Sequence, residues 1–326
     1  MKIGPVRLDG FLLAILAAVA VAAIVPATGA AVPVLDHVVT AAIFVLFFMY
    51  GGRLEPREAL AGIRNWRLHA VILGFTYVAF PVLGVLLGFV LPHVLSAPLA
   101  LGVLYVCLVP STVQSSITFT SIARGNVAGA IVSASFSNLV GVLITPLLVM
   151  LLMTGGAGGV HIEASSILDI VGQILVPFVL GQLSRPLTAT WLKENNAWLK
   201  FVDRGVIVLV VYSAFSSGMR EGIWGMVSVG QILLVTLVSA VLLVVVLWAT
   251  DASARALRFD RGDRIAIQFC GTKKSLATGL PMAAVLFGGQ QVGLIILPLM
   301  IFHQLQLMVC ATLASRYARE VDAPPA

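Results

Sequence analysis

Phe269-Cys270-Gly271-Thr272-Lys273-Lys274-Ser275-Leu276-Ala277-Thr278-Gly279-Leu280-Pro281 sets two adjacent ammonium groups inside an apolar segment, with no carboxylate near them in sequence. The pair follows Arg264 by nine and ten residues. At about 1.5 Å per helical residue, that places it roughly 14 Å into a hydrocarbon layer about 30 Å thick. From this depth a lysine stem does not reach either interface, and each midplane cation costs about 2.5–3.5 kcal/mol on insertion scales. Helix packing requires no such pair, so the stretch reads as a site inside a membrane protein. The bland alternative is one lysine facing a water-filled cavity as a structural pin.

The rest of the chain agrees. Its 326 residues are 60% hydrophobic and 10% charged, against roughly 25% charged in soluble domains, and its mean hydropathy is +1.05. Ten apolar runs long enough to cross a bilayer as helices lie near residues 8–26, 33–52, 69–91, 98–123, 126–153, 166–184, 203–219, 226–250, 264–288 and 290–315. Backbone groups cannot be left unpaired in lipid, so the runs are helices and the fold is an all-α polytopic membrane protein. Lys2 and Arg7 before the first run, with Ala27, Gly29 and Ala30 after it, superficially match a secretory leader. The regular array instead needs that run as its first span.

Charge placement sets the expected orientation. Of 20 Lys and Arg residues, two form the mid-span pair and Arg220 falls in an outer loop; the remaining 17 fall in inner segments when the N-terminus is cytoplasmic. This bias places both termini inside the cytoplasmic (inner) membrane. The net charge of +6 is spread over short loops without a stripe or aromatic-interleaved patch, which points to lipid headgroups and away from nucleic acid. Cys107, Cys270 and Cys310 lie in apolar segments and show no disulfide or zinc spacing. No HExxH, GxSxG, P-loop or paired membrane aspartate is present, so the chain reads as a non-enzyme without a cofactor.

Residues 1–326 read as one transporter unit of two five-helix halves, 1–153 and 154–326, and an odd number per half makes the second inverted. Span four carries Pro110-Ser111-Thr112-Val113-Gln114-Ser115-Ser116 and span nine carries the lysine stretch, so the fourth helix of each half is interrupted. Paired broken helices are the best sequence pointer to a midplane binding site. The candidate substrate or ion site takes Ser111, Thr112, Gln114, Ser115 and Ser116 from span four. It adds Ser133, Ser137 and Asn138 from span five, Gln268, Thr272, Lys273, Lys274 and Ser275 from span nine, and His303 from span ten. Ser133 and Ser137 share a helical face, for which interhelical hydrogen bonding is an equal alternative. Gln304 and Gln306 lie beside His303, whose bland reading is a packed core histidine. Gly84-x3-Gly88 and Gly125-x3-Gly129 read as close helix packing. Only Asp9, Asp36, Asp169 and Asp203 of the 14 acidic residues touch a span, each near a boundary. Two ammonium groups without a built-in counter-ion suit an anionic ligand, or a lysine that releases a proton during transport.

Three passages also resemble a known family: Pro110 to Ser116, Ala123-Arg124-Gly125-Asn126-Val127-Ala128, and Phe269 to Pro281. They are similar to the bile acid:sodium symporter superfamily, and the lysine form of the span-nine motif is similar to its bacterial symporter-like branch. The resemblance covers essentially the whole chain. It implies two inverted repeats, a panel from spans one, two, six and seven, and a core from spans three, four, five, eight, nine and ten, with spans four and nine crossing at the midplane. It also implies sodium-coupled movement of an organic anion. Ser115, Ser116 and Thr272 would then be sodium ligands. In the better-known members a glutamate and a glutamine of span nine bind sodium; here those positions are Phe269 and Lys273, so a lysine stands in one cation position.

The sequence thus predicts a secondary active transporter of a small organic anion, amphipathic ones included, coupled to sodium or to a proton through lysine. Its partners are membrane lipid, the anion and the coupling ion, with oligomeric state left open. A non-transporting regulator of ion homeostasis would need a docking surface, and the loops are short. A metalloid efflux carrier would use Cys107 or Cys270, for which ordinary packing is the simpler role.

Overall fold

The computed structural model describes residues 10–53, 65–153, 171–222, 225, 227–288 and 291–322. The first residues of predicted spans one, six, eight and ten, together with Lys2, Arg7, Asp9, Arg57, Arg64 and Asp169, lie outside them. The described residues form helices with no strand. In chain order these are α1 (Gly10–Ile24), α2 (Ala31–Arg53), α3 (Trp66–Gly74), a π turn (Phe75–Ala79) leading into α4 (Phe80–Gly88), α5 (Ala97–Leu108), α6 (Gln114–Ile122) and α7 (Val127–Met153). A second π turn (Val171–Leu175) leads into α8 (Val176–Glu194), followed by α9 (Asn196–Arg220), α10 (Val229–Ala256), α11 (Arg261–Thr272), α12 (Leu276–Leu286) and α13 (Val292–Asp322).

Among the described residues, five helical stretches are long and apolar enough to cross a membrane: Ala31–Arg53, Trp66–His93, Val127–Met153, Val229–Ala256 and Val292–Glu320. The burial pattern is that of a protein solvated by lipid. Leu187 is 90% exposed and Ile24 79%, whereas Lys273 and Lys274 are fully buried. Apolar side chains can face outward at this scale only in a hydrocarbon solvent or an interface, so the chain is an integral membrane protein.

Several helices run past the expected apolar limits. The segment 185–202, read as a loop, is mostly helical: α8 continues to Glu194 and α9 starts at Asn196. Hydropathy sees only the hydrocarbon-embedded part of a helix, and the charged ends continue into the interface. Arg53 of α2 meets Asp203 of α9 at 2.6 Å there, and Arg264 of α11 meets Asp251 of α10 at 3.0 Å.

α1 packs on α9, and α2 on α8 and α9; α5, α10 and α12 pack around α13. α9 reaches across to α12 and α13. The α2–α8 seam is close because Gly51 lies against the Phe178 carbonyl and Gly181 against that of Phe48, leaving no room for a Cβ. The turn between α6 and α7 is tight: Arg124 takes a left-handed φ of 55°, and Asn126 accepts from the Gly129 amide at 2.8 Å. Asn126 also donates to Asp263 at 2.6 Å, and its amide donates to the Gly262 carbonyl at 2.9 Å. The Ala123–Ala128 motif therefore joins the C-terminal end of α6 to the N-terminal end of α11.

Candidate functional site at the helix breaks

Predicted span four breaks between α5 and α6, and predicted span nine between α11 and α12. Pro110 has no N–H and cannot continue α5, so Val109 turns extended with φ −75° and ψ 154°. A helix that stops inside a membrane leaves carbonyls that must find donors. Here several find one from another element. Leu108 accepts from Thr145 Oγ1 at 2.9 Å, Pro110 from the Ser275 amide at 2.8 Å and Ser111 from Asn138 Nδ2 at 2.6 Å. Cys107 and Val109 both accept from Lys274 Nζ. On the other break, Ser111 Oγ donates to Cys270 at 2.6 Å and Ser116 Oγ to Phe269 at 3.4 Å. Ser275 caps α12 by accepting from the Thr278 amide. The two unwound segments thus complete each other.

Lys273 and Lys274 part company because the backbone is extended at Lys273, with φ −82° and ψ 151°, and successive side chains of extended chain point to opposite sides. Lys274 Nζ lies 3.1 Å from the Thr76 carbonyl, 3.0 Å from Cys107 and 2.9 Å from Val109, with the Phe80 ring centroid 4.1 Å away. Three N–H donors meet three carbonyls. The Thr76 carbonyl is available for a local reason: the Phe80 amide bonds Phe75 instead, and Pro81, which would supply the next amide of the π turn, has none. The Lys274 backbone is clamped by Gln306, which accepts from its amide and donates to its carbonyl, both at 2.8 Å.

Lys273 turns toward α6. Its Nζ donates to the Ser115 carbonyl at 2.7 Å and lies 3.9 Å from the Phe119 ring centroid and 5.3 Å from that of Phe269. Neither lysine pairs with a carboxylate among the described residues. Ring faces and carbonyls therefore supply the negative potential around both ammonium groups.

The sequence-predicted residues divide by position. Ser111, Thr112, Ser115, Ser116, Ser137, Asn138, Ser275 and His303 gather around the breaks. Thr112 Oγ1 lies 2.7 Å from Ser115 and 3.2 Å from Ser116, Ser137 Oγ accepts from the Ser111 amide, and His303 Nδ1 lies 2.8 Å from Gln306 Nε2. Three others sit apart. Ser133 bonds His69 at 2.7 Å, Gln268 donates to Leu247 and accepts from Tyr317, and Gln114 is exposed on α6. Thr272 Oγ1 is 3.3 Å from Thr250, on the α10 side. Cys107 and Cys270 are fully buried beside the breaks.

Sequence reading passed over Thr76, Thr278 and Gln306 as site members. Thr278 Oγ1 donates to Asn138 Oδ1 at 2.7 Å. Gln306 was visible as a polar residue of span ten, but its partner is backbone.

A lipid-embedded helical bundle in which two discontinuous helices meet through their unwound segments has the architecture of a secondary transporter. The chain belongs to the SBF-like CPA transporter family, which it matches over residues 9–319, in line with the resemblance carried by its span-nine motif. It is 47% identical over 316 residues to YfeH of Escherichia coli (strain K12), provisionally named a symporter, covering 97% of this chain and 94% of that one. It is also 47% identical over 318 residues to protein PA2026 of Pseudomonas aeruginosa, covering 96% and 94%. Sodium/bile acid cotransporter 7 of Rattus norvegicus is 28% identical over 314 residues, covering 94% and 92%.

Proposed function

We propose that the chain is a secondary active transporter that moves a small organic anion across the cytoplasmic membrane by alternating access. The observation that carries this reading is the meeting of two helix breaks at Lys273, an ammonium held by one carbonyl and two rings. The N-terminal ends of α6 and α12 start from the same breaks, and helix N-termini favour negative charge. The rat relative's name, which joins sodium to bile acid, supports an amphipathic anion.

In this reading ten spans form two inverted five-helix repeats with both termini cytoplasmic. α1, α2, α8 and α9 act as the panel against which the remaining helices rock. The α1–α9 and α2–α8 pairings, and the seam of α9 with α12 and α13, support that grouping. The coupling charge is a proton carried by Lys273. A sodium ion gains from an anionic oxygen ligand, whereas Ser115 and Ser116 offer neutral hydroxyls beside an ammonium and Thr272 lies toward α10.

The test is binding of a panel of amphipathic carboxylates and sulfonates to the purified protein, with and without sodium and across pH, in wild type and Lys273→Gln. The expected result is sodium-independent, pH-dependent binding that weakens at least about tenfold in the variant, the effect of roughly 1.4 kcal/mol of lost charge interaction. Sodium-dependent binding that is unchanged in Lys273→Gln overturns the proposal.

A further inference from the structure

We propose that the Lys274 ammonium is a tethered cation occupying a monovalent-cation site built from carbonyl oxygens. Removing the lysine head would then open that site to a free small cation. This inference concerns the wall of the proposed transport site, but its test reads stability and is independent of whether an anion is carried.

The cage is made from two interruptions of regular structure. The Thr76 carbonyl is orphaned by the π turn and by Pro81. Cys107 and Val109 belong to the end of α5, where Pro110 stops the helix. These oxygens converge on Lys274 Nζ at 2.9–3.1 Å, and the Phe80 ring closes a fourth side at 4.1 Å. Unwound carbonyls and half-helix C-termini are the groups with which discontinuous membrane helices hold cations, because the C-terminal end of a helix dipole is negative. Lys274 is fully buried, and all three of its protons are directed to these oxygens. It therefore has no donor left for a substrate, in contrast to Lys273. One cation at this position is covalent and never leaves, so none need be drawn from solution to hold α3–α4 against the end of α5.

Lys274→Ala empties the cage while keeping its oxygens. The purified variant is titrated with ammonium, ethylammonium and propylammonium chloride, and with sodium and potassium chloride. Choline chloride, which lacks N–H donors and is too bulky, serves as the ionic-strength control, and wild type is titrated in parallel. Thermal unfolding is the readout. The expected result is a variant less stable than wild type that regains several degrees in a saturable way with a primary ammonium or an alkali cation, as a site that binds only the folded state requires. Choline leaves it unchanged, and wild type does not respond. If Lys274→Ala fails to accumulate, the same titration is applied to Lys274→Gln, which keeps an amide donor but loses the charge. A flat titration in the variant that folds overturns the proposal, as does stability equal to wild type in Lys274→Met.

Discussion

Gln306 shows how much of this site depends on main chain. It is fully buried in α13, and its amide group pairs with both the N–H and the C=O of Lys274, replacing the partners that a continuous helix would have supplied. Gln306→Leu conserves most of the volume and orphans the Lys274 amide, at about 1–3 kcal/mol for a buried unpaired group, leaving the Lys274 carbonyl only the longer contact to His303 Nδ1 at 3.3 Å. The expected outcome is a lower unfolding temperature in detergent or bicelles, whereas Gln304→Leu on the same helix has a smaller effect. The lysines, Pro110 and the serines of span four were legible because polar or helix-breaking residues stand out against an apolar background. The roles of Thr76 and Gln306 were not. A carbonyl acceptor has no side-chain signature, and the effect of Pro81 depends on a π register that composition does not reveal. The same limit hid the opposite headings of Lys273 and Lys274, which follow from two backbone angles.

At the level of elements, the breaks fell where expected but for different local reasons. Span four breaks at its proline, over 109–113, while span nine breaks at Lys273–Ser275, with Gly271 still inside α11 and Pro281 inside α12. Gly279 instead gives α12 close contact: a Cβ there would lie 2.6 Å from Leu299 and 3.2 Å from Val109. Of the paired small residues, Gly84, Gly125 and Gly129 are packed tightly against neighbours, whereas Gly88 faces open space. The tightest seam, α2 on α8, came from no motif in the reading, because its glycines are not spaced four apart within one helix. Gly51→Val and Gly181→Val each drive a side chain into the partner's carbonyl, and overpacking of this kind costs roughly 1–3 kcal/mol. Both should lower the yield of monodisperse protein in size-exclusion chromatography and reduce the unfolding temperature. Gly88→Val is the control, expected to change packing little, and equal behaviour of all three would remove the seam from the account.

For the whole molecule, the distribution of exposed side chains distinguishes surfaces facing lipid from surfaces facing water. The outward residues of α10, such as Leu237, Val244 and Trp248, are apolar, as lipid requires. On α6 the exposed positions include Gln114, Thr118 and Ser121, at i, i+4 and i+7 and so on one helical face. α6 packs on α7, α11 and α13, which leaves this polar stripe turned away from the bundle interior. This stripe of amide and hydroxyl groups, flanked by the exposed Val113 and Ile122, would suit an aqueous vestibule approaching Lys273, which is itself fully buried. α9 closes against α12, the half of the broken helix beyond Lys273 and farther from Arg264. In the proposed orientation, with the N-terminus inside, such a vestibule would open to the cytoplasm. Thr118→Cys should therefore react with a membrane-impermeant thiol reagent in inside-out vesicles and much more slowly in intact cells. Background from the natural cysteines should be small, because Cys107, Cys270 and Cys310 are fully buried. An organic anion that occupies the site should slow the labelling, since the reagent and the anion would share the path along α6. Labelling confined to the outer face would reverse the orientation, and labelling only by membrane-permeant reagents would return the stripe to lipid.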